Sequence, residues 1–422
     1  MAQPSAPVPE LGTADAAHRT INEILFGAFA AAAAPLRRLP AWGQASVIYL
    51  LARFVSYCIF LGVALHQGDS PWGPAHPGYL QFVGIWDSEW YQRVFDGGYP
   101  AVLPRTAGGA VDSNSWAFYP LFPFLVKGIS AVTGLGWTVL APVVALLAGW
   151  AAALVILRLF RVFASAGTAL WGVAFFATFP TSAILQVPYA ESLSTLLLAA
   201  SLYLLVQRRY WIAIPVVVLM CFSRPAGVPF VAVVALHLGL RWWHRESKPF
   251  PHAERLAGIV LAVVSGVAAF AWPAIAWLVT GDRNAYTDTE MAWRGGGALH
   301  IFQPWFSAGV DLVGPLWGPL LPVLLLVLAF LYLNSRAVRR IGTDLRLWCA
   351  MYFLYIFAVL YPQTSTFRML LPLFPLALAT AQISKSRAYR GAVVVMFVLL
   401  QIVWVAWLWR WTELPGGGDY PP

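Results

Sequence analysis

Charge is what this chain has least of: 11% of its 422 residues are Asp, Glu, Lys or Arg, against 60% hydrophobic ones, and the mean hydropathy is +0.69. A soluble core of this length needs no such balance, so an ordinary soluble domain is excluded. Cysteine is scarce too. Cys58, Cys221 and Cys349 all stand inside apolar runs, which argues against a disulfide framework and against a thiolate metal site. The seven histidines show no His-x-x-x-His or related pair, so no zinc site is expected. No Walker loop or dinucleotide fingerprint occurs. Lysine is nearly missing, with three against 24 Arg, beside much Ala and Gly, the composition of a GC-rich bacterial source. The first 20 residues have no basic start followed by an apolar stretch, so no cleaved signal peptide is expected.

What the chain does have is a series of apolar runs, about ten of which reach the roughly 20 residues that cross a hydrocarbon layer. This is the pattern of an all-α polytopic membrane protein. The formal charge of +9 sits in short clusters between runs rather than along one face, so it marks topology and not nucleic-acid binding. Arg37 and Arg38 before the first run predict a cytoplasmic N-terminus, with residues 1–44 a cytoplasmic or interfacial segment that includes an Ala-rich stretch at 21–35. A membrane domain over 45–411 then follows, with spans predicted at 45–65, 137–160, 165–185, 190–206, 256–280, 308–333, 345–361, 369–384 and 391–410. Residues 210–240 are basic at both ends and too short for two full spans, and they read as two short helices meeting at "SRPAG". The count is about eleven. Residues 66–136 form a first outer loop, with 116–130 an interfacial helix; 281–307 form a second, and 412–422 a tail.

Polar chemistry gathers in the first outer loop, in "GIWDSEWYQRVFDGGYP", residues 84–100. Asp87 and Glu89 diverge by about 200° on a helix and share a face in an extended segment. Trp86, Trp90, Tyr91 and Tyr99 suit the membrane interface. Arg93, four residues after Glu89, is its helical ion-pair partner if this is helix. Tyr119, Tyr189, Glu191, Arg224 and Arg368 fall at the same predicted side. Glu191 and Arg224 lie against apolar runs, where an unpaired charge costs about 2.5–3.5 kcal/mol, so each faces a cavity or the other. Arg224 and Arg368 carry planar guanidiniums whose donors suit the paired oxygens of a phosphate or a carboxylate. The alternatives are an Arg224–Glu191 neutralising pair, an interfacial anchor at Arg368, and a helix-start role for Glu191. The 281–307 loop, with Asp282, Arg283, Asp288, Glu290, Arg294 and His300 beside "GGG", is either a lid, since three glycines free the backbone, or a solvated linker.

In order, "WDSEWYQRVFDGGYP", "FYPLFP", "VPYAES", "SRPAG" and "TFRMLLPLFPLALA" resemble the motifs of the PIG-V family of mannosyltransferases, over roughly residues 80–380. The resemblance implies the GT-C glycosyltransferase fold and inverting transfer of mannose from a polyprenyl-phosphate donor to a glycolipid or lipoglycan acceptor. It implies a site facing the periplasm or exterior of a plasma (inner) membrane. The family's essential acid maps onto Asp87; Glu89 completes an Asp-x-Glu variant of the GT-C acidic motif. Trp86, Trp90, Tyr91, Arg93, Tyr119, Tyr189, Glu191, Arg294 and His300 become candidate substrate contacts. Arg224 and Arg368 become the candidates to hold the leaving phosphate; no cofactor is expected beyond the lipid-linked donor, and no metal, since arginines near a monophosphate leaving group suffice. Two alternatives stand: the same fold using a polyprenyl-phosphate arabinose or glucose, or a lipid or sugar transporter or flippase. A transporter often shows paired broken helices and repeats, and here one broken pair is visible and the acids cluster in a loop.

Overall fold

Apolar runs can satisfy their backbone in hydrocarbon only as helix, and helix is what they form. The computed structural model describes residues 36, 38–294, 299–415 and 421–422. The Ala-rich stretch at 21–35, Arg37, the glycines at 295–297 and those of the tail lie outside the described residues. The chain forms two compact units, Met1–Gln44, described only at residues 36 and 38–44, and Ala45–Pro422, which holds the cavity. Among the described residues there is no extended strand, only isolated bridges between Ser70 and Gly73 and between Arg105 and Val111.

Among the described residues four helices are long and apolar enough to cross a membrane: Ala41–Ala64, Trp137–Phe160, His252–Thr280 and Arg387–Trp409. Two bent pairs, Gln303–Trp317 with Leu320–Leu333 (111°) and Thr364–Leu373 with Pro375–Ile383 (77°), raise the number to six if each is one span. The chain is thus a multi-pass membrane protein. Ala166–Thr178, with 13 residues, falls short of the span expected over 165–185, whereas Glu191–Val206, with 16, coincides with the one expected over 190–206. Tyr210–Cys221 and Gly227–Trp243, with 12 and 17 residues, are the two short helices expected over 210–240. The helix expected over 116–130 runs from Leu121 to Thr133.

The breaks have local causes. At the end of Ala166–Thr178, Pro180 cannot continue the hydrogen-bond ladder, and the chain resumes as a short 3₁₀ turn, Ser182–Gln186. The freed carbonyls are answered from two other helices. Arg53, buried in Ala41–Ala64, donates to the Ala177 carbonyl (2.6 Å) and to the carbonyl and hydroxyl of Ser182. Gln401 donates to the Phe179 carbonyl (3.3 Å) and accepts from Ser56 Oγ (2.7 Å). Without them, open backbone in a low-dielectric interior would cost several kcal/mol per group. Inside Gln303–Trp317 the chain kinks at Gly314, which takes φ 85°, a conformation that favours glycine.

The "SRPAG" junction separates Tyr210–Cys221 from Gly227–Trp243. A Cβ on Gly227 would come within 2.8 Å of Cys221 Sγ and 2.9 Å of Ala269 Cα, so a glycine there lets the junction press against His252–Thr280. At the other ends of these helices, His237 Nδ1 lies 2.8 Å from Asp344 and its Nε2 2.8 Å from the Tyr210 hydroxyl. Beside them Arg241 grips Glu254. These ties join four helices.

The first loop is pinned by aromatics rather than left on the surface. Tyr99 packs 4.7 Å from the rings of both Trp116 and Trp272, and its hydroxyl donates to the Phe118 carbonyl (2.7 Å). Trp272 Nε1, from His252–Thr280, donates to the Trp116 carbonyl (3.0 Å). Such ring pairs add about 0.5–1.5 kcal/mol each beyond buried area.

Candidate active site

A cavity of about 510 Å³ lies among Asp87, Tyr91, Tyr119, Glu191, Arg224, Glu290, Arg294, Tyr352, Tyr355 and Arg368. Its lining is drawn from residues as far apart in sequence as Asp87 and Pro421. Asp87 is the first residue of the helix Asp87–Gly97, and Glu191 the first of Glu191–Val206. At a helix start the backbone dipole favours a carboxylate. Neither side chain is spent on its own helix end, since neither terminus has a side-chain cap.

Asp87 is presented by a strained turn. Trp86, the residue before it, has φ 61°, a region that costs a bulky residue roughly 1–3 kcal/mol and persists only where the surroundings over-determine it. They do. The Trp86 indole is buried and donates to the Trp409 carbonyl (2.8 Å), and Trp409 donates in return to the Phe82 carbonyl (2.9 Å). The Asp87 backbone N–H donates to the Tyr189 hydroxyl (2.9 Å), which donates to the Ile85 carbonyl (3.3 Å).

Arg368 sits in a ten-residue 3₁₀ run, Thr364–Leu373, whose buried residues Ser365, Arg368 and Leu371 are spaced by three. Residues three apart eclipse in a 3₁₀ helix, so the run turns one face inward, with the guanidinium at its middle. Arg368 Nη2 lies 2.5 Å from Asp87 Oδ2 and Nη1 lies 3.7 Å from Glu191 Oε1. The guanidinium also stands 5.4 Å over the Tyr189 ring. Arg224, placed by the "SRPAG" junction, donates to Glu191 Oε1 (2.7 Å) and lies 3.3 Å from Met369 Sδ. Two acids and two arginines therefore form one chain, Asp87–Arg368–Glu191–Arg224, of zero net charge. It is buried but not saturated: Arg368 Nε and Nη1 and Glu191 Oε2 have no hydrogen-bond partner. An unmade buried bond costs about 1–3 kcal/mol, so this cluster stands ready to exchange partners.

The other expected residues divide. Tyr91 lines the cavity and packs edge-on to Phe118 and Phe122. Tyr119 lines it, with its hydroxyl 3.3 Å from that of Tyr286. Tyr189 stands behind the cluster as its support. Glu89 points elsewhere, its carboxylate taken by Trp72 Nε1 (2.9 Å) and by Arg93 (2.5 Å), so the helical geometry separates it from Asp87. Arg93 also covers the Trp90 ring (4.2 Å), and Trp90 lies edge-to-face against Trp293 (4.9 Å). Arg294 reaches the wall with one guanidinium nitrogen on the Val359 carbonyl (2.6 Å). His300 is exposed and outside the cavity lining. Tyr286, Tyr352 and Tyr355 were not singled out by sequence; the three-residue spacing of the last two, on one helix face, was the available signal.

The Ala285–Ala292 helix is too short to span and contributes Tyr286 and Glu290 to the wall. Burial holds the Glu290 carboxyl above its ordinary range, opposed chiefly by Arg294, and pushes the Tyr119 and Tyr286 phenols well up. Among the described residues no three His, Cys, Asp or Glu side chains gather as a metal site would require.

No family model matches the chain and no curated protein is significantly similar to it. Its structure is similar to that of the Archaeoglobus fulgidus oligosaccharyltransferase in complex with zinc and sulfate, at 13% identity and a TM-score of 0.46, covering 85% of this chain and 53% of that one. Two further structures of that archaeal enzyme are similar. One, with an inhibitory peptide and a dolichol-phosphate, gives 13% identity, a TM-score of 0.41 and coverage of 85% and 55%. The other, tethered to an acceptor peptide, gives 11%, 0.38, and 85% and 55%. The chain spans about half the length of these structures.

Proposed function

We propose that this protein is an inverting glycosyltransferase of the GT-C type, moving mannose from a polyprenyl-phosphate donor to a hydroxyl of a glycolipid or lipoglycan on the non-cytoplasmic side of the membrane. The observation that carries the reading is the convergence of Asp87, Glu191, Arg224 and Arg368 on one cavity, although the first and the last stand 281 positions apart in the chain. The cavity volume falls within the roughly 300–1,000 Å³ usual for small-ligand sites.

The charges fit the reaction. As the acceptor oxygen bonds to the anomeric carbon, its proton passes to the Asp87 carboxylate, and the bond from that carbon to the phosphate oxygen breaks with its electron pair on the phosphate. Asp87 loses its negative charge as the leaving phosphate gains one. Arg368, ion-paired with Asp87 before the step, can thus follow the charge to the phosphate, using donors that are unsatisfied in the resting site. Arg224 holds Glu191 and adds positive potential at the same place. No step in this scheme calls for a metal ion.

The test is transfer by the purified protein in lipid nanodiscs, given radiolabelled polyprenyl-phosphate mannose, glucose or arabinose in separate reactions with a membrane lipid extract. The expected product carries mannose with its anomeric configuration inverted. Preference for another sugar would change the donor assignment, and no transfer from any of the three would overturn the enzyme reading.

A further inference from the structure

Part of the cavity wall remains unused by the charge cluster. It comes from the Ala285–Ala292 helix, where Glu290 and Tyr286 face the space beside Tyr119 and Tyr355. Glu290 keeps 27% of its side chain exposed, and its contact with Arg294 is long at 3.5 Å. Tyr286, four residues before Glu290 on the same helix, takes a bond from Tyr119 through its hydroxyl.

Hydrogen bonds tie this corner to the first loop and to Val359. Asn114 Nδ2, from the first loop, donates to Thr289 Oγ1 (2.9 Å), and Trp293 Nε1 lies 3.3 Å from the Asn114 carbonyl. Arg294 ties the far end to Val359. A side chain held this way loses little freedom on binding, which is how a preorganised site gains affinity.

We propose that Glu290, with Tyr286 and Tyr119, is a binding subsite for the sugar ring of the acceptor. The assignment rests on the transferase reading of the cavity. A carboxylate accepts from two adjacent sugar hydroxyls at once, phenol hydroxyls donate to others, and aromatic faces cover the apolar side of a pyranose. Position decides between donor and acceptor: the lipid phosphate belongs with Arg224 and Arg368, which leaves the carboxyl and phenols of Glu290, Tyr286 and Tyr119 for an uncharged polyol.

Octyl α-D-mannopyranoside is the probe, titrated into the protein in nanodiscs and followed by tryptophan fluorescence, with octanol as the apolar control. The parent should bind the mannoside saturably and in excess of octanol. Glu290→Gln should weaken binding about tenfold, equivalent to about 1.4 kcal/mol. Tyr286→Phe, which keeps the ring, should weaken it about threefold, and Asp288→Asn, on the same helix but outside the lining, should change it by less than about twofold. Absence of saturable binding by the parent, unchanged binding in Glu290→Gln, or equal weakening in Asp288→Asn overturns the subsite. Failure of the transferase reading shows elsewhere, as absent label transfer by the parent, because this titration needs no turnover.

Discussion

Replacing Asp87 by Asn keeps the shape of the side chain and removes its charge and its basicity. Asp87 lies 2.5 Å from Arg368, where the gross attraction at an effective dielectric of about 20 is about 7 kcal/mol. Much of that is offset by desolvation; breaking a buried pair typically costs about 3–5 kcal/mol. Asp87 is one-fifth exposed and Arg368 keeps Glu191 at 3.7 Å, so the lower end, about 3 kcal/mol, is expected. The catalytic loss is separate: removing a general base costs about 10²–10⁴ in rate, or about 3–5 kcal/mol of barrier. In Asp87→Asn two guanidiniums share one carboxylate, leaving surplus positive charge for a lipid phosphate. Steady-state kinetics in nanodiscs should therefore show kcat falling by about 10²–10⁴ while donor KM stays level or falls. Turnover within about tenfold of the parent would remove Asp87 as the base. A rise in donor KM with loss of folded protein would make the Asp87–Arg368 pair a structural tie.

Arg224→Ala deprives Glu191 of its 2.7 Å partner and should raise donor KM more than acceptor KM; equal losses for every substrate, with poor expression, would mark a purely structural pair. Transfer should persist in excess chelator, and a strict requirement restored by magnesium or manganese would reject the metal-free scheme. The Glu290 carboxyl, held by burial above its ordinary value of 4.5 against the pull of Arg294, makes stability depend on pH. The fold favours its protonated form, so its contribution is complete below pH 4.5 and falls as pH rises through the raised value. Melting temperature measured against pH should lose that decline in Glu290→Gln, and parallel curves would refute the assignment.

Much of the helical architecture was legible because apolar runs have no other stable form in hydrocarbon, and the cluster was legible for a related reason. Charges beside apolar runs are costly, so Glu191 and Arg224 had to meet something, and the structure shows that they meet each other. Arg368 was readable as an arginine at a run's edge, but not its ion pair with Asp87, which depends on a 3₁₀ run whose three-residue spacing no apolar periodicity announces. The about eleven spans of the hydropathy reading were harder. Hydropathy sees length and not continuity, and a proline such as Pro180 divides a run into a 13-residue helix and a 3₁₀ turn without lowering its apolar average. The polar residues that repair that break, Arg53, Ser56 and Gln401, lie far away in sequence and inside spans, where a single arginine reads as an isolated cost. Two of its three partners are backbone carbonyls, which carry no sequence signal at all. Glu290 was visible as one acid among several in a polar loop. Only the packing of Asn114 on Thr289 and of Arg294 on Val359 distinguishes it from Asp288 two residues earlier, because residues two apart on a helix face different ways.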